Sequence, residues 1–160
     1  MLKYQRSDVV FQEIPDETSL AVAIGGCTLR CPGCHSRFLW EDKGIPLDIP
    51  ALENLLYFHK GITNLLLMGG EHNIDALIEL FMYAHQRVKT AWYSGLDVIP
   101  KDKLGILEHL DFIKLGHFDI ELGGLDSPTT NQRLYQYSKY YSDFTIGKGW
   151  RDITYRLQKK

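Results

Sequence analysis

Short apolar runs alternate with amphipathic stretches along most of this chain, and glycine follows each run within two residues. The runs cover residues 19–24 (SLAVAI), 62–68 (ITNLLLM), 88–93 (VKTAWY) and 112–115 (FIKL). Apolar runs of four to eight residues bounded by turn-forming residues are typical of strands buried in a sheet. The pattern therefore predicts four buried strands.

The amphipathic stretches predict helices between these strands. Asp48 and Asn73 each precede a stretch with apolar residues at helical spacing, and both residue types are preferred helix N-caps. A third, short helix is expected over residues 102–110. The sequence also predicts a helix over 131–141 and a last strand over 144–146.

Strands that alternate with helices imply right-handed crossovers and a parallel sheet. The chain has 160 residues, whereas a complete eight-stranded β/α barrel takes about 250. We therefore expect a single α/β domain over residues 1–160, folded as a partial, open parallel β/α barrel or as a doubly wound sheet.

Composition narrows the choice of function. Hydrophobic residues make up 44% of the chain and charged residues 24%, as in ordinary globular proteins. The 18 basic and 20 acidic residues nearly balance, so charge gives no reason to expect a nucleic-acid or membrane partner. No apolar run approaches the roughly 20 residues that span a bilayer, and the charged N-terminal residues do not resemble a signal peptide. We expect a cytoplasmic protein with reduced thiols.

All three cysteines of the chain lie in one eight-residue window, at Cys27, Cys31 and Cys34. Iron–sulfur clusters are held by cysteine thiolates, four in a closed [4Fe–4S] site. Three thiolates would leave one iron with an open coordination position, at which a small molecule can bind and react. This C-x3-C-x2-C spacing therefore favours a reactive cluster.

Three neighbouring cysteines can also form disulfides or bind zinc. A disulfide framework would leave one thiol unpaired and is not expected in a reducing compartment. Zinc remains an alternative, because the adjacent His35 completes a possible Cys3His set. Structural zinc sites usually pair ligands from two separate segments, so four ligands within nine residues fit zinc less well.

The ends of the predicted strands give a second indication of a ligand site. The strands end at Gly25-Gly26, Gly69-Gly70, Ser94-Gly95 and Gly116. Ligands of parallel α/β folds bind at the carboxyl ends of the strands. Glu71 directly follows one of these ends, so we expect it to contact a ligand. Tyr93 and Ser94 end another strand and are candidates for ligand contact, although core packing is an equal alternative for Tyr93. Lys114 and Asp119, which flank the Gly116 turn, are interpreted as solvated charges.

The C-x3-C-x2-C motif after a first strand and Gly-Gly-Glu after a second resemble the radical S-adenosylmethionine (SAM) enzymes. Residues 123–135 (GGLDSPTTNQRLY), the small size and the cysteine loop resemble, within that superfamily, the activating proteins of anaerobic ribonucleotide reductase. The resemblance extends over roughly residues 19–146. It implies the partial parallel β/α barrel of the radical SAM type.

The resemblance also implies roles for individual residues. Cys27, Cys31 and Cys34 would bind three irons of a [4Fe–4S] cluster, and the fourth iron would bind the amino and carboxylate groups of SAM. The remaining motif positions would contact SAM: Gly33, Cys34 and His35 beside the adenine, and Gly69, Gly70 and Glu71 at the methionine amino group through backbone carbonyls. Tyr93 and Ser94, from their position at a strand end rather than from the motif, are candidates for contact with the ribose or carboxylate. Gly33 departs from the aromatic residue that many members of the superfamily carry before the third cysteine.

The implied activity is that of a glycyl radical activating enzyme. Its protein substrate would be the large subunit of an anaerobic ribonucleotide reductase, and its reductant an electron donor such as a flavodoxin. Two alternatives stay open: a radical SAM enzyme acting on another glycyl radical protein or a small metabolite, and a non-catalytic Cys3His zinc-binding interaction module.

Overall fold

The computed structural model describes residues 1–158 of the chain. Within them, eight strands form one mixed sheet. The strands are β1 (Lys3–Val10), β2 (Ser19–Ile24), β3 (Ile45–Pro46), β4 (Asn64–Met68), β5 (Lys89–Tyr93), β6 (Phe112–Leu115), β7 (Arg133–Tyr137) and β8 (Trp150–Asp152). Their order in the sheet is β3-β1-β2-β4-β5-β6-β7-β8, so the sheet is open.

The centre of the sheet is parallel and its flanks are antiparallel. Strands β2, β4, β5 and β6 pair in parallel, and these are the four strands that the apolar runs predict. The flanking strands β1, β3, β7 and β8 join antiparallel. The carboxyl ends of the four central strands consequently meet at one edge of the sheet.

Two predictions for the C-terminal quarter are wrong. Residues 131–141 do not form a helix, because Arg133–Tyr137 is a strand that pairs with the free edge of β6. Residues 144–146 do not form the last strand: Phe144 makes only isolated bridges, and the last strand is Trp150–Asp152. Strand β1, at the N-terminus, was not predicted.

The predicted helix starts are confirmed. Helix α1 (Ile49–Phe58) begins after Asp48, whose carboxylate accepts the Ala51 N–H at 2.9 Å. Helix α2 (Ile74–His85) begins after Asn73, whose side-chain oxygen accepts the Ala76 N–H at 3.2 Å. The third helix is a 3₁₀ helix. The 3₁₀ helices are Arg37–Trp40, Glu71–Asn73, Lys101–His109 and Thr154–Arg156.

Alternate residues of the strands enter two separate cores. On one side, here called the helical face, α1, α2 and the 3₁₀ helix Lys101–His109 cover large strand residues. On the other, here called the open face, a smaller core is covered by the β1–β2 connection and the C-terminal segment. Its buried members are Ile14, Ala21, Leu66, Ala91, Phe112, Leu134 and Ile153.

No helix among residues 1–158 has the length and apolar character required to cross a bilayer.

Candidate metal centre

The cysteine loop leaves the carboxyl end of β2 and is fixed through its backbone. The Cys27 N–H donates to the Leu39 carbonyl at 2.9 Å, and the Cys34 N–H donates to the Cys31 carbonyl at 3.1 Å. Gly33 has a φ of 74°, and a Cβ there would lie 2.5 Å from the Ile120 side chain. All three thiols are free and half-buried. The loop therefore presents its sulfurs without a disulfide.

A cavity of about 170 Å³ lies between this loop and the carboxyl ends of the central strands. It brings together six of the predicted site residues: Cys27, Cys31, Cys34, Gly69, Glu71 and Tyr93. The proximity of the cysteine loop to the Gly-Gly-Glu turn follows from the parallel pairing of β2 with β4. A single cavity thus holds the thiols and the carboxylate that the motifs single out.

The other predicted residues lie around the cavity without lining it. Gly33 packs on Ile120. The His35 ring meets Phe118 edge-on, with 5.2 Å between centroids. Gly70 has a φ of 87° and abuts Leu77 on the helical face, while Ser94 is buried behind Glu71.

Glu71 has one satisfied and one unsatisfied carboxylate oxygen. Its Oε1 accepts the Gly95 N–H at 2.8 Å and the Ser94 O–H at 3.1 Å. Its Oε2 is buried and has no hydrogen-bond partner within residues 1–158. A buried carboxylate oxygen without a donor is costly, so this atom is suited to a donor supplied by a ligand.

The glycine carbonyls of the same turn are already engaged. The Gly69 carbonyl accepts the Trp92 indole N–H at 2.9 Å, and the Gly70 carbonyl accepts the Asn73 N–H at 3.0 Å. The acceptor left without a partner at this turn is therefore the Glu71 side chain.

Lys114 is a further residue of this cavity, and its interpretation as a solvated charge is wrong. The side chain is 8% exposed, lines the cavity, and donates from Nζ to the Gly116 carbonyl at 3.1 Å. Burial lowers the pKa of Lys114 to about 8, although the negative charge of Glu71 opposes that shift. The sequence contains one indication of this burial. Lys114 lies two residues after the apolar Phe112 in the same strand, and residues at that spacing point to the same face of a sheet.

Tyr93 is held by the β1–β2 connection. Its hydroxyl donates to the Glu13 carbonyl, and burial raises the pKa of this phenol far above its ordinary value. The hydroxyl thus has a partner within the chain, while the ring forms part of the cavity wall.

A second cavity of about 860 Å³ adjoins the first on the open face. The two share Tyr93, Lys114 and Gln132 as lining residues. The second cavity extends between the β1–β2 connection and the C-terminal segment. A molecule much larger than one amino acid has room beside the cysteine cavity.

The Cys27 thiol at the start of the loop is perturbed by its surroundings. Burial, and to a lesser degree the Glu71 carboxylate, raises the pKa of Cys27. Iron binds thiolate, so loading of this site releases protons and becomes easier as pH rises.

The positions of the side chains without metal do not separate zinc from a cluster. Among the residues that the structure describes, no three His, Cys, Asp or Glu side chains converge closely enough to hold one ion. The fourth member of the Cys3His set, His35, packs against Phe118. The choice between zinc and an iron–sulfur cluster therefore rests on the comparison with known proteins.

Comparison with known proteins supplies the family. No curated protein matches the chain, and no solved structure does. One family model, described as a 4Fe-4S single cluster domain, matches residues 18–135. This match covers well over half of the chain and includes the cysteine loop together with the four central strands. The chain therefore belongs to the 4Fe-4S single cluster domain family and is an iron–sulfur protein.

Proposed function

We propose that this protein is a radical SAM activating enzyme that installs a glycyl radical on the large subunit of an anaerobic ribonucleotide reductase. In this proposal the fold is a partial parallel β/α barrel of the radical SAM type, and Cys27, Cys31 and Cys34 hold three irons of the cluster. An electron donor such as a flavodoxin provides the reducing equivalent.

One observation carries the proposal. The cavity that is lined by all three thiols is also lined by Glu71, whose buried Oε2 has no hydrogen-bond partner among residues 1–158. A passive electron carrier needs no ligand acceptor beside its cluster. An ammonium group, such as that of the methionine part of SAM, would give this oxygen a charge-assisted hydrogen bond.

A [4Fe–4S] cluster held by Cys27, Cys31 and Cys34 would supply the one-electron reductive cleavage of SAM on which formation of the glycyl radical depends. The chain contributes orientation, charge and exclusion of water. Glu71 would bind the amino group of SAM. Hydrogen bonds from Ser94 and Gly95 would hold the Glu71 carboxylate in place for this contact. The buried Lys114 ammonium would favour the negative charge of the cluster and of the SAM carboxylate.

The adjoining 860 Å³ cavity supports a protein substrate over a small metabolite. It shares lining residues with the cysteine cavity, and neither α-helix lines it, so a polypeptide loop could approach Tyr93 and Gln132 from that side.

The test is anaerobic reconstitution with iron and sulfide, reduction by dithionite in the presence of SAM, and assay of 5′-deoxyadenosine. The wild-type protein should form this product, and Cys31→Ala should form none. Thr28→Ala, in an exposed position of the same loop, is the matched control and should keep activity. Adding the reductase large subunit should then yield a glycyl radical signal by electron paramagnetic resonance.

Three other results would each refute one part of the proposal: the SAM chemistry, the identity of the metal, or the protein substrate. A protein that binds iron and sulfide yet never cleaves SAM would be a cluster protein of another kind. One equivalent of zinc without acid-labile sulfide would identify a zinc module. SAM cleavage without a radical on the reductase would point to another substrate.

A further inference from the structure

Three arginines surround an aromatic pair beside the cysteine loop. Arg30 and Arg37 lie over the Trp40 ring, 5.0 and 5.4 Å from its centroid, and Arg6 lies 5.0 Å from the centroid of Phe38. All three arginines are exposed. We call these five residues the arginine patch.

The positive charge of this patch is only partly balanced by acids among residues 1–158, where Arg6 Nε lies 3.9 Å from the Asp8 carboxylate. Neighbouring acids already have cationic partners, since Glu41 pairs with Lys43 and Asp42 with Lys3. Arg30 and Arg37 have no carboxylate within 4.0 Å among residues 1–158. The chain as a whole carries a net charge of −2, so this positive surface is a local feature.

The patch shares a wall with the cysteine cavity. Trp40 lines that cavity and also carries the two arginines on its ring. Arg30 directly precedes Cys31 in the loop. A protein seated on the patch would thus contact a residue that also lines the cavity of the cluster ligands.

We propose that the arginine patch is the docking surface for an acidic one-electron donor protein that reduces the cluster. This inference rests on the proposed function, which requires an electron from outside the chain. Exposed arginines and aromatic rings are the residue types enriched at protein interfaces. Unpaired positive charge steers a negatively charged partner and orients it before contact.

The location also separates this partner from the protein substrate. The larger cavity on the open face is lined by residues of the β1–β2 connection, the 125–126 loop and the C-terminal segment. None of the five patch residues lines it. The donor and the substrate would therefore occupy different surfaces, and the cluster could be reduced while the substrate is bound.

The experiment follows cluster reduction in the reconstituted protein by stopped-flow absorbance, with a reduced flavodoxin of net negative charge as the probe. The double variant Arg30→Gln/Arg37→Gln should lower the second-order rate constant about tenfold or more at low ionic strength, because steering by charge accounts for factors of this size. Raising the salt to about 0.15 M should shrink the difference, since surface charges are then screened beyond roughly 8 Å.

A charge-matched control is available on the helical side of the molecule. Arg87, which lies over Tyr83 at 3.7 Å, and Lys101 are both exposed. The variant Arg87→Gln/Lys101→Gln should reduce at the wild-type rate. Reduction by dithionite and the iron content should be the same in all three proteins.

Several outcomes would overturn the inference. An unchanged rate with the flavodoxin would show that the patch is not its docking surface. A parallel loss with dithionite would show that the substitutions damage the cluster site. Weaker binding of the reductase large subunit, with unchanged flavodoxin kinetics, would assign the patch to the substrate instead. Failure of the proposed function is distinguishable, because cluster reduction is measured without SAM.

Discussion

The helical face and the open face take their side chains from the same central strands, yet they differ in size and polarity. Strand β5 shows the contrast within three residues: Trp92 is fully buried on the helical face, while Ala91 and Tyr93 belong to the open face. The helical face has large apolar residues under two α-helices. The open face has a smaller apolar core, two cavities and the buried charge of Lys114.

This difference separates the residues that stabilise the fold from those that are available to a ligand. Helices cover the helical face and bury most of the apolar surface, which is the main favourable contribution to folding. The open face lacks that cover among the described residues, so space remains beside polar groups. The polar groups there reduce stability, which is the expected cost of keeping a binding site in a folded protein.

The largest expected effect is on the helical face. Phe81 of α2 is fully buried, and Phe81→Ala should lower the free energy of unfolding by about 3–5 kcal/mol through lost apolar contact and the resulting cavity. Denaturant titration of the metal-free chain measures this. Met82→Ala, at the neighbouring exposed position, is the control and should change stability by about 0.5 kcal/mol or less. A loss below about 1 kcal/mol for Phe81→Ala would contradict the division between the faces.

A smaller effect of opposite sign is expected on the open face. In the metal-free chain the pKa of Lys114 falls from 10.5 to about 8, so below about pH 8 folding carries the cost of a buried ammonium. Lys114→Met should therefore raise the free energy of unfolding at pH 7, by on the order of 2 kcal/mol. Such a gain would mark Lys114 as a residue kept for function.

The pH dependence provides the independent check on Lys114. Between about pH 8 and 10.5 the unfolded chain binds a proton that the folded chain has lost, so the stability of the wild-type protein should rise with pH across this interval. Lys114→Met should lack this rise. Identical pH profiles for the two proteins would mean that the lysine is not buried as a titrating group.

The smallest expected effect concerns ligand binding at the open face. Glu71→Gln keeps the shape of the side chain and removes its charge, so SAM affinity should fall about tenfold to thirtyfold, equivalent to ~1.5–2 kcal/mol. Equilibrium binding to the reconstituted protein measures this, and iron content should not change. Glu79→Gln, on the exposed side of α2, is the control. Equal SAM affinity of the wild-type protein and Glu71→Gln would show that the Glu71 carboxylate does not bind SAM.

The sequence predicts well those features that depend on neighbours in the chain. Asp48 and Asn73 cap helices because a side chain can reach a backbone N–H three residues ahead. The four central strands are recognisable because strands buried on both sides read as continuous apolar runs. The candidate cluster ligands are recognisable because the C-x3-C-x2-C spacing lies within one short segment of the chain.

Features that depend on distant partners could not be predicted in the same way. Residues 133–137 become a strand because the free edge of β6 needs a hydrogen-bonding partner, and the tyrosines there suit either structure. Lys114 lies in a short apolar run, but its burial is decided by the strands on either side, on which Tyr93 and Leu134 pair with it. The unpartnered oxygen of Glu71 likewise becomes visible only when Ser94 and Gly95 take the other one.

The sequence by itself determined that three thiols lie in one loop at the end of a buried strand, since both facts are local. The tertiary structure decided what surrounds them. Parallel pairing of β2, β4, β5 and β6 brings residues from separate strand ends to one cavity, and the absence of α-helices from the open face among the described residues leaves space beside that cavity. The physical reason is that chain spacing fixes which groups are neighbours along a loop, whereas the order and direction of strands fix which loops meet.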